Sequence, residues 1–474
     1  MSVLPRADAG AYLSERHQEL MVLLEQRPDL RGITLDTQDK AVAACVRGYQ
    51  YRVSAWPIIV SPARIAAFEA FLRRYPALCY KAMQLWLTHD VDAFCNYLNV
   101  SPLVHGIVRD ARPDWGQMLN RHDVVLTCGV LRLIEVNAGC TIGGWQLGWM
   151  APQFRAILQQ APETAQWALS GRNVMDQMFL SVCQSIVRVR PGRPGNLLFY
   201  LSEADAVSER MLAQHYRQTY EKVRPAVIDS GDIFFFSDFS AIDFGLDGSV
   251  HYAGNEIDAV LLGIPEEHTE TTNASVLLRL VAAHLAGQIV MPDSPLYTIV
   301  GNKTLMAMLH EPEVQEMLCD EERKLIELHV PYTVRLAPRR LRWRGQNWEL
   351  AALLQQRQKE FVLKKSHSRQ GRDVFVGRYT DEARWSGLVE ELMNEPDWLA
   401  QEFCEADVGL GVDDAGQLVN CAFIWGLFDT GHAYGGAFVR GMPIQQTDGV
   451  INSAKGAIEF QVLETAARKN KLQF

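Results

Sequence analysis

Two short runs of this sequence carry polar side chains that could bind a metal ion and phosphate. Glu135 and Asn137 stand two apart at the end of the apolar run VLRLIEV, and Arg121 and Asp123 stand two apart at the start of the run DVVLT. Residues two apart on a strand leave the same face, roughly 7 Å from each other. Carboxylate and amide oxygens are hard ligands that suit Mg²⁺ carrying phosphate oxygens. We therefore expect a divalent-cation site here.

The turn between these two runs decides which side chains meet. A three-residue loop, Cys128-Gly129-Val130, places Asp123 opposite Glu135 and Arg121 opposite Asn137. A two-residue Cys-Gly turn shifts the register by one and places His122 opposite Glu135 instead. The alternative interpretation of the same pattern is an edge hairpin with a solvated polar face.

A second candidate for phosphate binding is the segment EFVLKKSHSRQGRDVFVGRY. An apolar run ends in Lys364 and Lys365, and a polar loop containing Gly371 leads to another apolar run. A lysine at a strand end places a cation beside backbone N–H groups that can cover phosphates. The sequence has neither a GxxxxGK loop followed by Ser or Thr nor a GxGxxG after a strand, so the common phosphate loops are excluded. A surface hairpin is the alternative interpretation.

Composition narrows the class of protein. The 474 residues carry a net charge of -10, with 48% apolar and 22% charged residues, which indicates a globular protein of two or three domains. The acidic balance argues against nucleic-acid binding. The nine cysteines include no CxxC pair, which favours reduced thiols. No run of about 18 uncharged apolar residues occurs, so we expect a cytoplasmic protein that does not bind a membrane.

The pattern of apolar residues changes along the chain. Residues 1–115 have helical spacing, which predicts a helical N-terminal region. Residues 116–300 alternate helical segments with strand-like runs such as NLLFYL, DIFFFSD and IDAVLLG, which predicts an α/β part carrying the metal-binding hairpin. Residues 301–474 mix helices with the strand-like runs EFVLKK, DVFVGRY, WLAQEFCE, LVNCAFIWGLF and HAYGGAFVRG. The predicted fold class is therefore α/β (α+β).

From Arg121 to the C-terminus these motifs resemble the circularly permuted ATP-grasp family, and most closely the synthetase domain of glutathionylspermidine synthases. The family has an R-x-D pair followed by an E-x-N strand, as at Arg121, Asp123, Glu135 and Asn137. It then has a short N-K before a helix, similar to Asn302-Lys303, and a lysine at the end of a strand, similar to Lys364. A hinge strand similar to WLAQEFCE and a closing strand similar to GGAFVRG follow. The resemblance implies a permuted ATP-grasp fold with a helical N-terminal region and an α/β pre-ATP-grasp part, in which residues 301–474 bind the nucleotide.

Site roles follow from the same resemblance. It implies Mg²⁺ held by Asp123, Glu135 and Asn137, and Arg121 as the catalytic residue that stabilises the transferred phosphoryl group. The implied ATP contacts come from two lysines, the loop that acts as a lid, the hinge strand and the closing strand: Lys303, Lys364, Ser368, Arg369, Gly371, Gln401, Glu402, Phe403, Cys404 and Arg440. Glu256 and Asp258 flank a strand like the family's I-D-x-V and are expected to approach the second substrate.

The implied activity joins a carboxylate and an amine into an amide through an acyl phosphate, with release of ADP and phosphate. Two departures stand in the loop: Lys365 replaces the usual proline, and Gln370 replaces a glutamate that binds metal. Two alternatives follow, a regulatory nucleotide-binding protein without ligase activity and a phosphotransferase. An amino acid, a small peptide or a polyamine would each suit the site, and the helical N-terminal region would build the amine pocket or a homodimer interface.

Overall fold

The computed structural model describes residues 13–40, 42–110, 118–139, 142–202, 207–262, 273–368, 372–431 and 433–465. The N-terminal part contains, in chain order, α1 (Glu15–Gln26), α2 (Pro28–Arg31), β1 (Ile58–Val60), α3 (Pro62–His89), α4 (Val91–Leu98) and α5 (Pro102–Asp110). The predicted helices are confirmed. Strand β1 is the exception, since it lies in a segment expected to be helical.

The middle part contains β2 (Leu119–Thr127), β3 (Val130–Ala138), α6 (Gln146–Trp149), α7 (Ala151–Leu158), α8 (Pro162–Ala165), β4 (Leu169–Ser170), α9 (Val174–Val189), β5 (Leu197–Tyr200), α10 (Val207–Val223), β6 (Ile233–Phe236), β7 (Ile242–Phe244), β8 (Val250–Tyr252), β9 (Asn255–Glu256), β10 (Ala259–Leu261), α11 (Ala274–Leu285) and α12 (Tyr297–Val300). Three of these strands, β5, β6 and β10, pair in parallel in the order β10-β5-β6. Their sequences are nearly continuous apolar runs because both faces of a parallel sheet are covered.

The last part contains α13 (Thr304–Met308), α14 (Pro312–Met317), α15 (Asp320–His329), β11 (Thr333–Arg335), β12 (Arg340–Trp343), β13 (Gln346–Glu349), α16 (Leu350–Gln356), β14 (Phe361–Lys365), β15 (Val374–Val376), α17 (Glu382–Leu392), β16 (Trp398–Glu402), β17 (Val408–Val412), β18 (Leu418–Thr430), β19 (Tyr434–Pro443) and β20 (Ile458–Thr465). All five strand-like runs predicted here are strands. The structure is thus a mixed α/β protein.

The largest sheet joins strands from all three parts of the chain. Its order is β1-β20-β19-β18-β2-β3, with β17 added to β18 and β4 added to β20. Strand β1 runs parallel to β20, whereas the other pairs are antiparallel. Strands 58–60 and 458–465 are therefore neighbours, although they lie near opposite ends of the sequence.

Helix α3 covers one face of this large sheet. The Ser61 hydroxyl accepts a hydrogen bond from the N–H of Arg64, and Pro62 takes the first helical position, where it needs no donor. Phe68 is fully buried and its ring lies 5.6 Å from that of Trp425 on β18. Side chains alternate along a strand, so the neighbour Ile424 points to the opposite face, which borders the main cavity.

The four-stranded antiparallel sheet β11-β16-β14-β15 lies across that cavity. One face packs on α16 and α17, where Leu363 and Ala400 join a core with Leu353 and Trp385. The alternate residues of the same strands face the cavity. No helix of the described residues is long and apolar enough to cross a membrane.

Candidate functional site

The hairpin of β2 and β3 has a two-residue turn. Thr127 pairs with Val130, and Cys128 and Gly129 both have positive φ, 49° and 77°. Two positive φ values in succession form the turn that matches the twist of paired strands. Of the two alternatives, the two-residue Cys-Gly turn is therefore the one that forms. Asp407 holds this turn, because its two carboxylate oxygens accept the N–H groups of Cys128 and Gly129 at 2.8 Å each.

A β-bulge then restores the register that the longer loop would have given. Val124 pairs with Leu133, but the next residue, Asp123, pairs with Glu135, which leaves Ile134 as the extra residue. Beyond the bulge Arg121 lies opposite Asn137. The four side chains thus pair as the three-residue alternative predicted, although the bulge and not the turn produces this pairing.

Asp123 lies between two arginines. Arg121 donates from Nε at 2.7 Å and from Nη2 at 3.0 Å to the two oxygens of Asp123. Arg440 on β19 donates from Nη2 at 2.6 Å, and Asn137 donates from Nδ2 at 3.1 Å. Burial alone would raise the pKa of Asp123, but Arg121 and Arg440 outweigh it and hold this pKa well below its ordinary value. The carboxyl group is therefore ionised at neutral pH.

Glu135 is the more open of the two acidic side chains. Its side chain is 27% exposed, and its carboxylate lies 3.4 Å from Nζ of Lys303, which is nearly buried. Lys303 also donates to the backbone oxygen of Ser368 at 3.1 Å. Lys303 therefore contacts both the Glu135 carboxylate and the start of the loop that is expected to form a lid.

Lys364 points into the cavity, whereas Lys365 does not line it. The Nζ atom of Lys364 donates to Oε1 of Gln401 at 2.7 Å and to the backbone oxygen of Ile134 at 3.3 Å. Burial lowers the pKa of Lys364 to about 8, and neighbouring Glu135 partly opposes this. Lys364 therefore carries its charge at neutral pH inside a largely apolar space.

The cavity occupies about 660 Å³ between the four-stranded sheet and the large sheet. Apolar side chains form its two walls, with Val362 and Val376 on one side and Ile424 and Ile451 on the other. Sequence reasoning did not select these wall residues. The period of two could have identified Val362, since it stands two before Lys364 on the same face of β14.

The segment Gln401 to Cys404 borders one end of the cavity. Gln401 is buried, and its Nε2 donates to Oγ1 of Thr333 at 3.2 Å. The carboxylate of Glu402 accepts from Trp343 and Arg344, away from the other polar groups of the site. The backbone N–H of Cys404 has no hydrogen-bond acceptor among the described residues. This N–H is therefore available at the cavity wall.

Two other expectations have different outcomes. Arg369 and Gly371, together with Gln370, lie outside the described residues, so their predicted roles stay predictions. Asp258 is fully buried and accepts hydrogen bonds from Arg193 and from the N–H groups of Gly195 and Asn196, while Glu256 pairs with Arg190. These contacts tie the two acids to the end of the parallel sheet, and their expected approach to a second substrate stays a prediction.

The side chains of the site offer oxygen ligands of the kind that Mg²⁺ binds. The described residues contain no group of three or more His, Cys, Asp or Glu side chains arranged to hold a metal ion. Mg²⁺ does not require one, because it keeps several waters and binds one or two carboxylates together with substrate phosphates. Glu135 borders the cavity. Asn137 donates a hydrogen bond from Nδ2 to Asp123, so its amide oxygen can act as a metal ligand. The residues present fit Mg²⁺ bound with a phosphate ligand.

No protein-family model matches this sequence, and a search of curated proteins gives no match. Among solved structures, the chain is similar to a glutathione synthetase-like effector from Globodera pallida in its apo form, with a TM-score of 0.58 and 13% identity over 93% of this chain and 97% of that chain. A protein from Methylobacillus flagellatus KT, provisionally named a gamma-glutamylcysteine synthetase, aligns with a TM-score of 0.38 and 10% identity over 82% of this chain and 87% of that chain. The first similarity shows that this chain shares the fold of a glutathione synthetase-like protein along almost its whole length.

Proposed function

We propose that this chain is an ATP-dependent carboxylate-amine ligase with a circularly permuted ATP-grasp fold. The observation that carries the proposal is the convergence of Lys364, Glu135 and Arg440 around one cavity between two sheets, with Arg121 bound to Asp123 at the cavity wall. The fold shared with a glutathione synthetase-like protein supports the same class of reaction. Pure nucleotide binding would not need an arginine placed beside the carboxylate Asp123.

In this proposal the nucleotide base lies between the two apolar walls. The free N–H of Cys404 meets the adenine edge, as expected of the hinge segment Gln401 to Cys404. Lys364 and Lys303 neutralise the phosphates, and Lys364 is already desolvated, which strengthens its interaction with an anion. The cavity of about 660 Å³ is within the usual range for a small-molecule site.

Asp123, Glu135 and Asn137 would hold Mg²⁺, which when bound would neutralise charge on the terminal phosphates and orient the phosphoryl group. The roles of the chain's own groups follow from their charge. Arg121 carries up to five N–H donors in a planar fork that suits phosphoryl and carboxylate oxygens. We assign to Arg121 the stabilisation of the phosphoryl group during transfer and of the oxyanion afterwards.

The reaction has two steps. In the first step a substrate carboxylate oxygen attacks the γ-phosphorus of ATP, and the bond between this phosphorus and the β-γ bridging oxygen breaks. The products are an acyl phosphate and ADP, which is the leaving group. The amine nitrogen then attacks the acyl carbon, the bond to the phosphate oxygen breaks, and the amine proton passes to phosphate or water. Water must be excluded because it would hydrolyse the acyl phosphate. The loop from Ser366 to Arg372, which includes Ser368, Arg369 and Gly371, is the proposed lid.

Substrates are proposed by chemical class. An amino acid, a small peptide or a polyamine would supply the amine, and an amino acid or peptide would supply the carboxylate. The acidic chain, with a net charge of -10, suits a cationic acceptor.

Calorimetric titration with ADP in the presence of Mg²⁺ tests the nucleotide site directly. We expect saturable binding of ADP and of a non-hydrolysable ATP analogue, with much weaker binding of the guanine nucleotides. Absence of binding for both adenine nucleotides would contradict the proposal. Binding with phosphate release only when an amine is present would separate the ligase from a phosphotransferase.

A further inference from the structure

We propose that Gly426 and Phe438 are positioning residues, which together hold Arg440 at the wall of the cavity. This inference rests on the proposed function, because Arg440 borders the proposed nucleotide site. It concerns the space that a glycine leaves in the middle of the large sheet and the aromatic ring that enters this space.

Gly426 lies inside β18, where glycine is an unfavourable residue. A glycine in a strand interior weakens the strand and often marks the close approach of another group. The φ angle of Gly426 is not in the left-handed region, so its conformation does not require a glycine. A Cβ atom there would lie 2.4 Å from Cε1 of Phe438 and 2.9 Å from Cδ of Arg121. Space for these two side chains is therefore what requires the glycine.

The register of the sheet shows what this space permits. Gly426 pairs with Asp123 on β2 and with Phe438 on β19, so the three positions form one row across the sheet. Neighbouring strands lie about 4.7 to 4.9 Å apart, and β2 and β19 are separated by about twice that distance. Nη2 of Arg440 on β19 nevertheless reaches Oδ2 of Asp123 at 2.6 Å. This contact spans β18 next to the position that carries no side chain.

The ring of Phe438 supports the guanidinium group of Arg440. The centre of the ring lies 5.5 Å from Cζ of Arg440, within the range of a cation–π contact. Phe438 is buried, and the backbone of Gly144 also packs on its ring, since a Cβ atom at Gly144 would lie 2.5 Å from the same Cε1 atom. The ring is therefore enclosed, and a methyl group added at Gly426 should displace it.

Arg440 depends on this ring because its other contacts are few. Among the described residues its guanidinium group makes one hydrogen bond, to Asp123, and its Nε atom is buried without a partner. A displaced ring therefore leaves the direction of the guanidinium group poorly fixed. We expect Arg440 then to lose its place at the cavity wall.

The experiment compares Gly426→Ala with Gly409→Ala, a matched control in the same sheet. A Cβ atom at Gly409 would lie 2.2 Å from Cε2 of Phe423. Phe423 stands two before Trp425 on β18, so both point to the face that α3 covers, away from the cavity. Each variant thus gains a methyl group that meets a phenylalanine ring, but only Gly426→Ala acts on the ring that supports Arg440.

Binding of the non-hydrolysable ATP analogue adenylyl imidodiphosphate with Mg²⁺ is measured by calorimetry, with folding checked by circular dichroism. We expect Gly426→Ala to lose about tenfold in affinity, which corresponds to about 1.4 kcal/mol. Gly409→Ala should stay within about twofold of the wild type, because distant sites act independently. Equal affinities of the two variants would overturn this inference alone. A wild type that does not bind the analogue would overturn the proposed function, and this inference with it.

A double variant tests whether Gly426 acts through Arg440. In the background of Arg440→Met, the further change Gly426→Ala should alter the affinity by less than about twofold, because the group that it displaces is already absent. A further tenfold loss in that background would mean that the two residues act independently, and this result would overturn the inference.

Phe438→Leu tests the same device without an added side chain, and it replaces Gly426→Ala if that variant does not fold. Leucine keeps an apolar group in the space but removes the ring beside Arg440. We expect a loss of about threefold to tenfold in affinity for the analogue, whereas Phe423→Leu on the opposite face should stay within about twofold of the wild type. A folded Phe438→Leu that binds like Phe423→Leu would contradict the role of the ring.

Discussion

The ammonium group of Lys364 lies 2.7 Å from Oε1 of Gln401, and both side chains are buried at the cavity between the two sheets. The same nitrogen reaches the backbone oxygen of Ile134 at 3.3 Å, on the hairpin of the large sheet. One cation therefore links β14 and β16 of the four-stranded sheet to the bulge in β3, and these contacts fix the position of its ammonium group at the cavity.

Replacing Lys364 should weaken nucleotide binding more than replacing its neighbour. Lys364→Met removes a desolvated cation from the cavity, and a hydrogen bond to a charged group contributes about 1.5 to 3 kcal/mol. We expect a loss of ADP affinity of about tenfold to a hundredfold. Lys365→Met is the matched control, because Lys365 does not line the cavity. Equal losses in both variants would contradict the assignment of Lys364.

Nucleotide affinity should fall as the pH rises through about 8. The pKa of Lys364 is lowered to about 8 by burial, so the lysine is protonated at pH 7 and loses its charge above pH 8. Phosphate binding favours the protonated form, and the affinity should therefore be nearly flat below this pKa and decrease above it. Titration of ADP between about pH 7 and pH 9 measures this. The decrease should disappear in Lys364→Met, and its persistence there would assign it to another group.

Much of the site could be predicted from the sequence because its signals are local. The period of two placed Arg121 and Asp123 on one face of their strand, and Glu135 and Asn137 on one face of theirs, and Lys364 stood at the end of an apolar run. The runs predicted as strands in the middle and last parts are strands. These patterns are decided by residues next to one another in the chain, which is why they can be interpreted without the fold.

The details of the hairpin could not be predicted in the same way. The sequence Cys128-Gly129 permits either turn length, and Cys128 takes a positive φ that its residue type does not signal. The extra residue Ile134 is apolar like its neighbours in the run VLRLIEV, so the sequence pattern does not reveal the bulge. The contact of Arg440 with Asp123 depends on the pairing of β2 with β18 and of β18 with β19, which brings together residues far apart in the chain.

Removing Glu135 or Asn137, two of the proposed Mg²⁺ ligands, should abolish metal-dependent turnover without unfolding the protein. Glu135→Ala and Asn137→Ala each remove one oxygen ligand of the proposed metal site, and Lewis-acid stabilisation by a metal contributes several kcal/mol to a transition state. We expect kcat/KM to fall at least about a hundredfold in each variant, with the thermal unfolding midpoint nearly unchanged. Normal activity in both variants would exclude these residues as the metal site.

Gly377 should be required for the close approach of the residue after β15 to the backbone of Gln358 and Phe361. A Cβ atom at this position would lie 2.0 Å from the backbone oxygen of Gln358 and 2.9 Å from that of Phe361, so the backbone must shift to accept Gly377→Ala. We expect a loss of roughly 1 to 3 kcal/mol in the free energy of unfolding.

Gly387 provides the matched control for that substitution. It is exposed within α17, and a Cβ atom there would meet nothing within 4 Å. Gly387→Ala should stabilise the protein by about 0.5 to 1 kcal/mol, since alanine is the better helix former. Chemical denaturation measures both changes, and equal effects would contradict the close approach at Gly377.

The most direct test of the ligase assignment is the analysis of products from ATP and Mg²⁺ with pools of amino acids, dipeptides and polyamines. ADP and phosphate release should appear only in pools that contain both substrates, with one product lighter by one water than the sum of two pool members in mass spectrometry. The amount of that product should equal the amount of ADP. Formation of AMP and pyrophosphate, or tight ATP binding without turnover in any pool, would contradict the assignment.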